Sequence, residues 1–366
     1  MTCRADFRFC CVLVLVIAAL LSVGSVSAQQ SSPTIIQPYF YAYPLSSYID
    51  QNGPNATELE RQHRISIADA MDQVFHVPMS PTYHPLASPG LGSLISEFHR
   101  HRTWIAIGRM HTKPTPAQGI RAYKFYSSGW FVEGGGTRFC VDYTDGPFES
   151  APSVEHLRPV LPSQIQALAR LSDAYFITHV HSDHTSLSLM TAMLDMGKTV
   201  YAPLQVRTLA MLGGVPNAQN IVVPNSTQIQ THGGLSFKVF AGMQWGAFLD
   251  APINHVGDPY SPINAENYSY LFRLGGVTLF HGGDNNSWSI LSWMQQQAVG
   301  DWSVDVALNL GFWGADLMNI MNPAQRLLSH DMEFSHRGPA FLHLNMSPTI
   351  NLNRRVLFWG ESIEIQ

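Results

Sequence analysis

Within six consecutive positions the chain places His179, His181, Asp183 and His184, in the stretch Thr178-His179-Val180-His181-Ser182-Asp183-His184. Immediately before it runs Ala174-Tyr175-Phe176-Ile177, an apolar, partly β-branched run that predicts a buried strand. Immediately after it, Thr185-Ser186 opens a segment of helical periodicity. The four side chains are therefore expected on a loop at the C-terminal end of a strand, a frequent location for chemistry in layered α/β folds. In an extended segment residues two apart point the same way, so His179 and His181 can grip one ion. Asp183 and His184 lie beyond the turn and can face a second. Imidazole together with carboxylate suits zinc, iron or manganese. The plainer reading is a histidine-rich surface loop, but four ligand-type side chains at this spacing are far more specific than a two-residue motif.

The 366 residues suffice for one large domain or two ordinary ones, and a 45% hydrophobic and 13% charged composition supports a large core and argues against disorder. With a net charge of −5 there is no basic stripe for nucleic acid and no Lys/Arg run for anionic membranes. The first 28 residues read as a separate object. Arg4 and Arg8 give a positive start, residues 12–23 are almost wholly apolar, and Val26-Ser27-Ala28 supplies small residues before Gln29. This is the layout of a signal peptide cut after Ala28, with an uncleaved anchor as the alternative; the apolar run is short for a stable membrane span. The expected location is secreted or periplasmic. Removal of the signal takes Cys3, Cys10 and Cys11 and leaves Cys140, read as a small core residue, so no internal disulfide is expected.

Residues 29–119 read as an N-terminal extension, partly helical and packed on the main domain, with helices expected over 58–75 and 94–102. His99 and His101 stand between arginines and look like a solvated face. From residue 120 the pattern changes. Residues 122–132 and 137–143 read as two strands joined by Glu133-Gly134-Gly135-Gly136, a hairpin signal. Helices are expected over 164–171, 187–196, 205–212 and 322–331. Strands are expected over 199–202, 221–223, 229–230, 235–240, 268–274, 277–280, 340–344 and 355–358. Runs of strands broken by helices suggest two stacked sheets with helices outside.

A two-ion site needs more ligands, and three candidates follow predicted strands or apolar stretches: His255, Asp284 in Phe280-His281-Gly282-Gly283-Asp284, and His343. Each alone is weak, because a histidine on an apolar strand is usually a core residue and Gly-Gly-Asp is usually a turn. As an ordered set the sequence resembles the metallo-β-lactamase fold superfamily over residues 120–366. Thr178 to His184 matches its signature loop, Asp142 its first motif, and His255, Asp284 and His343 the later ones. The text Tyr268-Ser269-Tyr270-Leu271-Phe272-Arg273-Leu274-Gly275-Gly276, together with Asn322-Pro323, is most similar to the branch of N-acylphosphatidylethanolamine phospholipase D and the ascorbate-phosphate lactonase.

The resemblance implies an α/β, four-layer αββα sandwich with an N-terminal extension. It implies two divalent ions, zinc before manganese or iron. His179, His181 and His255 would hold the first ion, Asp183, His184 and His343 the second, and Asp284 would bridge them. Asp142 would hold the histidine loop from behind. Aspartate rather than cysteine at 284 disfavours the common zinc β-lactamases, and histidine rather than glutamate at 181 disfavours the di-iron oxygen and nitric-oxide reductases. The expected activity is hydrolysis of a phosphodiester, lactone or related ester by a water activated between the ions, with Asp183 orienting it. The substrate is expected to be a small molecule or lipid-like, and the oligomeric state stays open. The rival reading is a non-catalytic metal-binding protein that kept the fold. His281, Asn285, Trp313, Trp245, Asn286 and His336 are candidate substrate contacts, although packing or turn formation is the plainer reading of each. Asn55, Asn225 and Asn267 fit the glycan acceptor pattern.

Overall fold

The computed structural model describes residues 89–146, 160–181, 183–226, 228–244, 265–285, 302–310, 321–329, 354–355 and 357–366. His255, His343, Trp313, Trp245, Asn286 and His336 lie outside the described residues, as do the signal segment, the helix expected over 58–75 and the strand expected over 340–344.

Two mixed sheets face each other. The first has the order β13-β1-β2-β3-β4-β5, from β1 (Ile120–Lys124), β2 (Trp130–Gly134), β3 (Thr137–Val141), β4 (Ala174–Phe176), β5 (Thr199–Tyr201) and β13 (Ser362–Ile365). The second has the order β12-β11-β10-β9-β8-β7-β6. It is built from β6 (Gln230–His232), β7 (Leu235–Gln244), β8 (Ala265–Leu274), β9 (Val277–His281), β10 (Val306–Leu310), β11 (Gln325–Ser329) and β12 (Arg354–Arg355). The hairpin-connected strands are antiparallel, while β3-β4-β5 and β9-β10-β11-β12 are parallel. Among the described residues, four α-helices accompany them: α1 (Pro89–Thr112), α2 (Pro162–Leu171), α3 (Leu187–Asp195) and α4 (Leu204–Leu212).

Between the sheets lies an aromatic core. The ring of Phe176 stacks on Tyr201 at 4.7 Å between centroids and meets Phe237, Phe272 and Phe139 edge-on at 5.1, 4.9 and 5.4 Å. Such pairs each add about 0.5–1.5 kcal/mol beyond burial. The helices cover the outer face of the first sheet. There Leu168, Leu189, Met190 and Met193 pack with Tyr175, Cys140 and Ala106, so the methionines and Cys140 are core residues.

The strand expected over 122–132 is two strands. Phe125 to Gly129 turns between β1 and β2, with Ser127 at φ +50° and Gly129 N–H donating to Tyr126 O at 2.9 Å. Alternation alone does not reveal this, because both arms are buried throughout. The helix expected over 322–331 is corrected to the parallel strand β11, whose Leu327 is buried between the sheets. Pairing with β10, itself absent from the sequence reading, overrides local propensity there. The helix expected over 94–102 runs from Pro89 to Thr112. His99, read as part of a solvated face, is buried against Tyr126 and Trp359, with ring centroids at 5.8 and 5.1 Å. Those partners come from a turn and from the chain end, so nothing near His99 in sequence announces them. Among the described residues, no helix is long and apolar enough to cross a membrane.

Candidate metal centre

The C-terminal ends of β3, β4 and β9 converge at one edge of the paired sheets, and each delivers part of a cluster. β4 leads into the loop carrying His179, His181, Asp183 and His184. This loop is tied on every side. Thr185 Oγ1 donates to His179 O at 2.7 Å, and His184 N–H donates to His181 O at 3.0 Å. Tyr268 N–H reaches Thr178 O at 2.8 Å and Tyr270 OH reaches Ile177 O at 2.9 Å, both from the opposite sheet. The helix that follows is capped by Ser186, whose Oγ accepts from Leu189 N–H at 2.9 Å and donates to buried Asp145 at 2.5 Å.

β9 ends in Gly282-Gly283-Asp284. Two alternate residues of β8 hold this turn, as the two-residue period of a strand allows. Asn267 Nδ2 and Ser269 Oγ donate to Gly282 O at 3.2 and 2.9 Å, and Asp284 N–H donates to Asn267 Oδ1 at 3.0 Å. Gln244 Nε2 donates to Asp284 Oδ2 at 3.2 Å. Sequence reasoning missed Asn267, Ser269 and Gln244 as parts of the site; the alternation of small polar Asn267 and Ser269 with Tyr268 and Tyr270 along β8 is the signal that could have found the first two. Asn267 is fully buried with both amide atoms engaged, which excludes it as a glycan acceptor.

The chain thus brings together five of the seven expected ligands. His179, His181 and Asp284 each offer one ligand atom within 4.8 Å of the others, and so do His179, Asp183 and His184. His184 Nε2 stands 3.1 Å from Asp284 Oδ1 and 3.5 Å from Asp183 Oδ2. All four loop side chains are buried, and Asp284 is 11% exposed. His179 Nε2 is buried without a hydrogen bond, and Asp284 Oδ2 lies 3.9 Å from it, beyond hydrogen-bond reach. A buried polar atom left this way is costly, and imidazole and carboxylate atoms converging on such a point are the donor set of a divalent transition ion. The residues fit such ions.

The electrostatics separate the two histidines. Burial, reinforced by His184 and His181, holds His179 well below the ordinary imidazole range, so it is neutral and able to ligate. Burial also opposes charge on His184, but Asp284, Asp183 and Asp142 outweigh it and push its pKa well above the ordinary value. A cation at this point satisfies the same carboxylates.

Asp142 follows β3 in a left-handed conformation, φ +46°, which aspartate tolerates better than most residues. Its Oδ1 accepts from Thr178 N–H at 2.7 Å. Its Oδ2 accepts from Thr178 Oγ1 at 2.6 Å and lies 2.7 Å from both His184 Nδ1 and His281 Nε2. Burial alone would raise its pKa, yet the two imidazoles hold the carboxyl below the usual range. His281, expected among the substrate contacts, is instead buried against Asp142, because it points inward from the last position of β9. Asn285 is partly exposed, with its Nδ2 3.2 Å from Ser269 Oγ.

A family model described as "Beta-lactamase superfamily domain" matches residues 148–355, more than half of the chain. No curated protein matches the sequence. Similar solved structures include Igni18, a metallo hydrolase from the archaeon Ignicoccus hospitalis, at 14% identity over 68% of this chain and 99% of that one, with a TM-score of 0.46. A possible metal-dependent hydrolase from Veillonella parvula is 16% identical over 68% of this chain and 100% of that one, with a TM-score of 0.48. An isothiocyanate hydrolase from Delia radicum gut bacteria is 16% identical over 67% and 99%, with a TM-score of 0.46.

Proposed function

The chain belongs to the beta-lactamase superfamily, and on that premise we propose that it is a metal-dependent hydrolase that cleaves a phosphodiester, lactone or related ester with two divalent ions, zinc first among them. The observation that carries this reading is the meeting of His179, His181, Asp183, His184 and Asp284, contributed by two different sheets, in two overlapping ligand groups that share His179, whose buried Nε2 makes no hydrogen bond. His255 and His343 would complete the two sets. The resemblance of residues 268–284 to the phospholipase D and phosphate-lactonase branch favours a phosphorylated or lipid-like substrate, and the N-terminal segment favours action outside the cytoplasm.

Ions held there supply Lewis acidity and an activated water. The chain's own residues do the rest. Asp183, held on the tightly bonded loop, orients the attacking water and takes its proton. His179, kept neutral by burial, and His181 would ligate on one side, and Asp142 fixes His184 on the other. Gln244 and Asn267 hold Asp284 and its backbone, so the carboxylate that would ligate the ions is placed before substrate arrives.

The test is metal analysis of the purified protein followed by a hydrolase panel of bis-p-nitrophenyl phosphate, lactones and esters, each with zinc and with manganese. About two ions per chain, with turnover that chelation removes, is the expected result. Bound ions with no turnover on any class would favour a metal-binding protein without catalysis. A protein that takes up no divalent ion would overturn the proposal.

A further inference from the structure

His281 spends a polar side chain in a place where packing alone would favour an apolar one. Its Nδ1 is buried without a hydrogen bond, a costly state for a polar atom. The other ring nitrogen, Nε2, lies 2.7 Å from Asp142 Oδ2. A carboxylate only accepts, so Nε2 carries the hydrogen. The same oxygen lies 2.7 Å from His184 Nδ1 and 2.6 Å from Thr178 Oγ1. A hydrogen on His184 Nδ1 leaves its Nε2 to face Asp183 and Asp284. The bond from His281 also crosses between sheets, because Asp142 follows β3 of the first while His281 ends β9 of the second, three residues before Asp284.

We propose that His281 is a positioning residue of the metal centre, acting through Asp142. One hydrogen bond anchors both the carboxylate that orients His184 and the strand end that carries Asp284 to the histidine loop. The proposal rests on the metal-centre reading above. An apolar ring at 281 fills the same space but releases Asp142, so His184 loses its fixed orientation and the Asp284 turn loses its tie to the first sheet. Outer partners of this kind are worth 10- to 100-fold in metal affinity.

The experiment compares wild type, His281→Phe and His281→Gln as full chains. Zinc affinity is read by competition with a chelating dye, cobalt loading by its visible absorption, and the thermal midpoint is taken without metal. In His281→Phe, the affinity for at least one ion should fall about 10- to 100-fold and the cobalt bands should shift, both read at a temperature where the metal-free protein is still folded, because the loss of one partner of buried Asp142 also lowers the metal-free midpoint. Glutamine, whose Nε2 can donate where the imidazole did, should recover most of the affinity. Should the Phe variant not fold, His281→Asn, polar but too short to place a donor at that point, takes its place and should show the same split from Gln. A wild type that loads zinc alongside a His281→Phe protein loading it equally tightly sinks this proposal alone, as does an equal loss in the Gln variant. A wild type that takes up no ion removes the metal-centre reading and this proposal with it.

Discussion

Gly283 and Thr178 are in such close contact that a Cβ added to Gly283 would lie 2.6 Å from Thr178 Cβ and 2.7 Å from its Oγ1. The glycine also has φ +54°, so a side chain there is strained as well as crowded. This contact seats the Asp284 turn directly on the first residue of the histidine loop. Gly283→Ala is expected to cost about 2–5 kcal/mol, combining the left-handed penalty with overpacking. It should also weaken zinc binding by moving Asp284 away from His179 and His184. Urea unfolding and zinc competition read the two effects; a variant unchanged in both would mean that the turn and the loop are not coupled.

Asp142 is the only carboxylate among the described residues that receives Thr178, His184 and His281 together. Asp142→Ala leaves four buried donor groups, on three residues, without their acceptor. Breaking a buried, charge-assisted cluster from one side costs about 3–5 kcal/mol, so the unfolding midpoint in urea should drop steeply. Zinc affinity should fall with it, through the loss of orientation at His184.

His99 provides a pH signature independent of the metal centre. Burial, with a smaller contribution from Arg100, pushes its pKa down to about 3 from 6.5, and neither ring nitrogen makes a hydrogen bond. The folded protein therefore keeps His99 neutral where the unfolded chain would protonate it. Stability falls as pH drops below 6.5 and stops falling on this account near 3. At about 1.4 kcal/mol per unit the whole effect is on the order of 5 kcal/mol. His99→Phe should flatten the stability profile across that window and leave it nearly unchanged at pH 8. Parallel profiles for the two proteins would refute the account.

Removal of the ions should abolish turnover and lower the thermal midpoint, and zinc at 100 times its dissociation constant should restore about 2.7 kcal/mol. Asp183→Asn should reduce kcat by about 10²- to 10⁴-fold, the range for loss of a general base, without a comparable loss of stability. Full activity in that variant would remove Asp183 from the mechanism.

Much of the fold is legible along the chain. The β4 strand, helices α2, α3 and α4, and the glycine-rich hairpin between β2 and β3 all follow from local periodicity and turn chemistry. Strands β10 and β13 and the strand character of β11 do not. These are short segments whose state depends on neighbours far away in sequence: β11 lies between β10 and β12, and β13 pairs with β1 across more than two hundred residues. The buried face of His99 and the inward direction of His281 are hidden for the same reason, since their partners Trp359 and Asp142 are remote.

The residue types and spacing of the histidine loop, and the Gly-Gly-Asp turn after an apolar strand, were determined by sequence alone, because ligand chemistry and turn conformation are properties of a few adjacent residues. Which atoms meet was decided only by folding. Two sheets had to stack before His179 and Asp284 shared a point, and before His184 and His281 shared one oxygen of Asp142. Local pattern specifies what a side chain can do; long-range packing specifies what it touches.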